Sequence, residues 1–179
     1  MSPISDLARP LCLALAALVG SAASTALSSA QARESTVVYP SSYPAGTIVI
    51  DKRQRRLFLT MGDGTAMSYP VAVGMAGKAW SGWARVDGKY VNPGWTPPAV
   101  VKHDHPEMPN LIPGGSPNNP MGVRALTLDR DEIAIHGTTQ SMRKSVGTAA
   151  SYGCIRMYNE DVTDLFQRVS VGTPVVAVP

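Results

Sequence analysis

Two residues of this chain have types and settings suited to acyl-transfer chemistry. Cys154 lies in the run Ser151-Tyr152-Gly153-Cys154-Ile155-Arg156. A glycine there lets backbone approach a ligand closely, and a cation two residues on favours the thiolate, the nucleophilic form of cysteine. A lone cysteine is otherwise a small buried hydrophobe, so both readings start open. His136 follows the apolar Ile133-Ala134-Ile135 and precedes Gly137-Thr138-Thr139, which puts its ring at a strand end beside a turn. A strand-end histidine is commonly structural. Paired with a cysteine eighteen positions later, it becomes the candidate base of a Cys–His dyad. His103-Asp104-His105 offers two imidazoles that would share a face on a strand, but no CxxC or further nearby histidine completes a tetrahedral set, so neither a metal nor any other cofactor is expected.

The elements that must position this pair are mostly strands. The 179 residues include 16 Gly and 15 Pro, with 44% apolar and 16% charged residues. That composition fills one core and favours short strands joined by turns over a helical bundle. The net charge of +3 comes from scattered Lys and Arg, with no basic block or basic–aromatic ladder, so no nucleic-acid partner is expected. Arg9, the apolar run Leu11 to Val19 and Ala30-Gln31-Ala32 read as a secretory signal over 1–32 with an A-x-A cleavage site. Nine apolar residues are too few to span a membrane. Removal of that segment takes Cys12 with it and leaves one cysteine. Exported proteins use cysteine chiefly in disulfide pairs, so a solitary thiol calls for a reason.

Residues 33–46 read as a short polar leader into a domain covering 47–179. Thr47 to Ile50, Arg56 to Thr60 and a run through Tyr69 to Val73 predict an antiparallel meander, with Met61-Gly62-Asp63-Gly64 as a turn. Eight prolines between Pro93 and Pro120 predict a segment that is neither helix nor central strand, serving as a lid, a binding loop or a plain surface excursion. Trp95, between Gly94 and Thr96-Pro97-Pro98, is a candidate groove residue. Val123 to Asp129 and Glu132 to Ile135 predict two further strands. Asn159 as N-cap, followed by Val162, Leu165, Phe166 and Val169 at helical spacing, predicts the one clear helix. Pro174 to Val178 closes as a strand.

His136-Gly137-Thr138, Ser151 to Met157, Asp161 and Leu165, together with Asn92-Pro93, Trp95 to Pro98, Asn119 to Gly122 and Val171 to Val175, resemble the signature of the L,D-transpeptidase catalytic domain, the YkuD domain. The resemblance spans roughly Thr47 to Val178. It implies a mainly β, compact sandwich with one helix near the C-terminus. It also implies an exported, periplasmic or envelope enzyme of peptidoglycan biosynthesis, whose cysteine forms a thioester with a stem tetrapeptide and passes it to an amine.

In that picture His136 holds Cys154 ionised and serves as acid and base. The Gly137 carbonyl orients His136, and N–H groups of Gly153 and Cys154 hold the oxyanion. Arg156, Ser151, Tyr152 and Trp95 face the substrate. The acceptor is a stem amine, water in a carboxypeptidase side reaction, or a lipoprotein lysine. A sortase-like protein transpeptidase and a non-catalytic wall-binding module are the alternatives. The chain differs from the family's usual pattern at two places: Ala79-Trp80-Ser81-Gly82-Trp83 replaces Thr-Pro-Thr-Gly, and Tyr152 stands where many members have His.

Overall fold

The computed structural model describes residues 35–179; the signal reading of residues 1–32 concerns residues outside these. The strands are β1 (Ser35–Val38), β2 (Ile48–Asp51), β3 (Arg56–Thr60), β4 (Thr65–Pro70), β5 (Val73–Gly74) and β6 (Gly82–Val91). A short helix α1 (Ala99–Asp104) is followed by β7 (Arg124–Leu128), β8 (Ala134–His136), a 3₁₀ turn at Arg143–Ser145, β9 (Ala149–Ser151), β10 (Ile155–Arg156), α2 (Asn159–Arg168) and β11 (Pro174–Val178). Nine strands run in the order β1-β4-β3-β2-β11-β6-β7-β8-β10, and β5 pairs separately with β9. The mainly β expectation holds.

The site depends on how β6 is used. Its first half, Gly82 to Arg85, pairs with β11, and beyond a register shift between Val86 and Gly88 its second half pairs with β7. A bulge bends a strand and increases its twist, so β6 serves both halves of the sheet. One core receives Ile48, Ile50, Leu57 and Tyr69 from the first half, Leu126, Ile135 and Ile155 from the second, and Val162 and Leu165 from α2. Full burial of each of these α2 side chains contributes about 1.5–3 kcal/mol, and it seats α2 against the strands that carry His136. Among the described residues no helix is long and apolar enough to cross a membrane.

Three local expectations change. Residues 35–38, placed in the leader, form an edge strand antiparallel to β4, and Tyr39 stacks on Phe58 at 4.4 Å; a small apolar cluster on the outer sheet face draws this segment in. The proline-rich segment does contain a helix. Pro97 and Pro98 precede it and Pro106 follows, so Ala99 to His105 is a proline-free window long enough for one and a half turns. The third meander strand ends at Pro70 rather than Val73.

Candidate active site

The two chemistry-bearing residues come together through a parallel strand pair. In β8 and β10, Ile135 is opposite Ile155 and His136 opposite Arg156. Strand alternation then puts His136, Arg156 and Cys154, two residues before Arg156, on one face. All three line a cleft of about 290 Å³ that is also walled by Trp95, Val101, His105, Met108, Ile133, Ser151 and Tyr152. A larger groove of about 410 Å³ elsewhere, bordered by Trp83, Arg85, Asp129 and Pro174, is lined by neither a cysteine nor a histidine.

His136 is 3% exposed. Its Nδ1 lies 2.8 Å from the Gly137 carbonyl. A carbonyl only accepts, so Nδ1 carries the proton and Nε2 keeps its lone pair. Burial, and then the Arg156 charge, push the His136 pKa down to about 4, against the opposing pull of the Gly137 and Pro120 carbonyls. Cys154 opens on the cleft, and its Sγ donates to the Glu132 carbonyl at 3.4 Å. Burial pushes the thiol up from its ordinary value, while the Ala134 N–H and Arg156 pull it down.

Burial, the largest cause at both groups, favours the neutral thiol and imidazole over the thiolate and imidazolium the sequence suggested. Desolvation disfavours the charged form of each. Glu132, at φ 57°, is one of three non-glycine residues with positive φ among those described. That left-handed turn aims its carbonyl at the thiol, a role no sequence motif revealed.

The loop before Cys154 bears on two further expectations. Ser151, expected to face substrate, lines the cleft but is 1% exposed, and its hydroxyl is used inside the loop. Its Oγ accepts from the Gly153 N–H at 3.1 Å and donates to the Cys154 carbonyl at 2.6 Å. The Gly153 N–H is thus engaged and is not a free oxyanion donor. No hydrogen-bond partner is found for the Cys154 N–H among the described residues. Gly153 must be glycine: its φ is +127°, and a Cβ there would come within 2.8 Å of Ile133 Cδ1.

Gly137 keeps its expected part through its carbonyl, while its N–H donates to Arg124. A Cβ on Gly137 would collide with Asn159 Oδ1. Asn159 is the first residue of α2 rather than its N-cap. Its side chain instead clasps the His136-Gly137-Thr138 turn, accepting from the Thr138 N–H at 2.9 Å and donating to the Thr138 carbonyl at 3.0 Å. Arg156 is 8% exposed; Nη1 donates to Ser145 Oγ at 2.7 Å and Nε finds no partner among the described residues.

The segment 93–120 forms one wall of the cleft. Trp95 is tied to Ile112 by reciprocal backbone bonds. Asn119, 2% exposed, donates to the carbonyls of Pro93, Ile112 and Pro113 and so holds the segment's two ends together. His103 and His105 fall at the end of α1. On a helix, residues two apart point to different sides, so the shared face that a strand would give them is lost.

Tyr152 links this wall to the nucleophile loop. Its hydroxyl donates to Asp104 Oδ2 at 2.9 Å, and the bonds from His103 and Tyr152 hold the Asp104 carboxyl below its usual range. Tyr152→Phe removes the link and keeps the ring. The expected result is a KM raised about threefold, with kcat within about twofold and the melting temperature unchanged, because an exposed hydrogen bond contributes little to folding. Steady-state kinetics and thermal unfolding check this; an unchanged KM would make the link incidental.

Known proteins resemble this chain. Residues 45–176 match the family model for the L,D-transpeptidase catalytic domain. The chain is 33% identical over 147 residues to the probable L,D-transpeptidase YbiS of Escherichia coli K12, covering 78% of this chain and 46% of that protein, so it spans about half of that relative's length. A solved L,D-transpeptidase from Mycobacterium smegmatis has the same fold, with a TM-score of 0.59 at 16% identity over 74% of this chain and 58% of that one. A Brucella melitensis protein described as a probable carnitine operon oxidoreductase is 40% identical, with a TM-score of 0.54 over 82% of this chain and 93% of that one; the description concerns that protein, whose fold this chain shares. The cysteine loop, the strand-end histidine and the match over residues 45–176 place this chain in the L,D-transpeptidase (YkuD) catalytic domain family.

Proposed function

We propose that this chain is an exported peptidoglycan L,D-transpeptidase that works through a thioester on Cys154. One observation supports this above the others: the thiol-bearing Cys154 and His136, whose Nδ1–H is bound to the Gly137 carbonyl and whose Nε2 is left to take a proton, line a single cleft. His136 Nε2 takes the Cys154 proton as Sγ attacks the stem carbonyl carbon. The oxygen that gains the negative charge is held by the Cys154 N–H, a donor whose loss from such sites costs about 3 kcal/mol of barrier. The C–N bond breaks, and the imidazolium returns its proton to the departing D-alanine amine. An incoming amine then gives its proton to His136 and attacks the thioester, and the thiol leaves re-protonated.

Arg156 lines the cleft and suits a stem carboxylate by its charge, while Nη1 stays on Ser145. Trp95 and Tyr152 flank the donor stem. The signal-like residues 1–32 carry the chain to the envelope. Water or a lipoprotein lysine in place of the stem amine uses the same acyl-enzyme.

Mass spectrometry of purified stem tetrapeptide incubated with the protein tests the reading. With an amine acceptor, the expected product joins acceptor to stem with loss of D-alanine; with water alone, a tripeptide forms. An unchanged tetrapeptide in both reactions would refute it.

A further inference from the structure

The Gly153–Cys154 peptide is held through its Gly153 carbonyl by Trp80. Trp80 lies in the Ala79 to Trp83 run that departs from the family sequence. Its Nε1 donates to the Gly153 carbonyl at 3.2 Å. The ring does not line the cleft; together with Gly153 and Ile155 it borders a small void behind the nucleophile loop. The guanidinium of Arg130, from the turn between β7 and β8, lies 4.6 Å from the Trp80 ring, and its Nη1 donates to the Trp83 carbonyl at 3.2 Å. The indole is thus fixed between its own strand segment and a stacked cation.

In a trans peptide the carbonyl of one residue and the N–H of the next point in opposite directions. A carbonyl of Gly153 turned back to Trp80 therefore turns the Cys154 N–H forward. Glycine at φ +127° has little intrinsic reason to hold that one orientation. Ser151 engages the Gly153 N–H and the Cys154 carbonyl, which are the flanking peptide units. The intervening unit is fixed by Trp80.

We propose that Trp80, braced by Arg130, is a positioning residue that holds the Gly153–Cys154 peptide with the Cys154 N–H aimed into the cleft as oxyanion donor. The proposal rests on the thioester reading given above. It concerns a step in which charge develops on the substrate oxygen, and so it separates two kinds of Cys154 reactivity. Acyl transfer needs the donor; alkylation by iodoacetamide develops no oxyanion and does not.

The test is Trp80→Phe, which keeps an aromatic ring beside Arg130 and deletes the N–H. The expected result is a kcat lowered about tenfold to a hundredfold, with KM, the rate of Cys154 alkylation and the melting temperature each within about twofold or a few degrees of the parent. Arg130→Met gives the same pattern at smaller size, about threefold in kcat, and carries the measurement if Trp80→Phe does not accumulate as folded protein. An unchanged kcat, or a kcat that falls together with alkylation, overturns the proposal, since the second outcome would mean a loop loosened as a whole. Cys154→Ala run alongside separates the two levels. Residual full turnover in that variant sinks the thioester reading itself, whereas an inactive Cys154→Ala beside an unaffected Trp80→Phe sinks only the role of Trp80.

Discussion

Cys154→Ala is expected to lower turnover of a stem tetrapeptide by about four orders of magnitude or more, the scale of removing a nucleophile from a site built around it. The fold should survive. Cys154 precedes β10 and is partly exposed, and its one hydrogen bond as a donor is the 3.4 Å contact to Glu132, so truncation leaves no unpaired charge and no deep cavity. Intact-protein mass spectrometry supplies the second readout: the parent should carry a transient adduct of the tripeptide acyl mass during turnover, and the variant none. Turnover at the parental rate in Cys154→Ala would end the covalent reading. A lost rate together with a lost melting transition would instead assign the thiol to folding.

The second large effect concerns protons. His136 at a pKa of about 4 is neutral through the physiological range, so kcat/KM should fall on acidification with an acid limb near pH 4 and should show no loss as pH rises through 6 to 7. A thiolate–imidazolium pair would behave in the opposite way, losing rate as the imidazolium deprotonated. An acid limb at pH 6 to 7 would refute the lowered His136 pKa, and a loss of rate as pH rises through that range would restore the ion pair. His136→Asn should lower turnover by about 10²- to 10⁴-fold.

Stability carries the same signature. The unfolded chain binds the His136 proton near pH 6.5, while the folded chain resists it down to about 4. The stability is therefore complete above pH 6.5 and declines as pH falls toward 4, by about 3 kcal/mol for a difference of that size. Urea unfolding at pH 7 and pH 4.5 should show this loss in the parent and a smaller one in His136→Asn. Equal losses in both would mean that other groups set the acid sensitivity.

Much of the frame was legible because its signals are local. The runs at Thr47 to Ile50, Arg56 to Thr60 and Pro174 to Val178 appear as β2, β3 and β11, since β-branched and aromatic residues bounded by turn residues suit a strand wherever the rest of the chain lies. The apolar spacing from Val162 to Val169 appears as the buried side of α2. The ten-residue β6 was missed, although Ala84, Val86 and Gly88 are buried and alternate with exposed Trp83, Arg85 and Asp87. That period of two is written in the residues but masked by two glycines and three charged side chains. Asn159 had the type of a cap. Its amide was drawn instead to the turn at Thr138, twenty-one residues away.

The sequence by itself determined the chemical inventory: a cysteine in a Gly-Cys-Ile-Arg run, and a histidine at the end of an apolar run with a glycine after it, whose carbonyl the family resemblance implied as the ring's acceptor. Only the tertiary structure decided the state of those groups. Whether the thiol and imidazole are charged depends on how much water burial removes, and no motif encodes that quantity. Which N–H remains for an oxyanion depends on Ser151 engaging Gly153 and on Trp80, seventy-three residues earlier, holding the Gly153 carbonyl. Desolvation and hydrogen bonds between distant segments arise from packing the whole chain at once, so they become readable only when its surfaces have met.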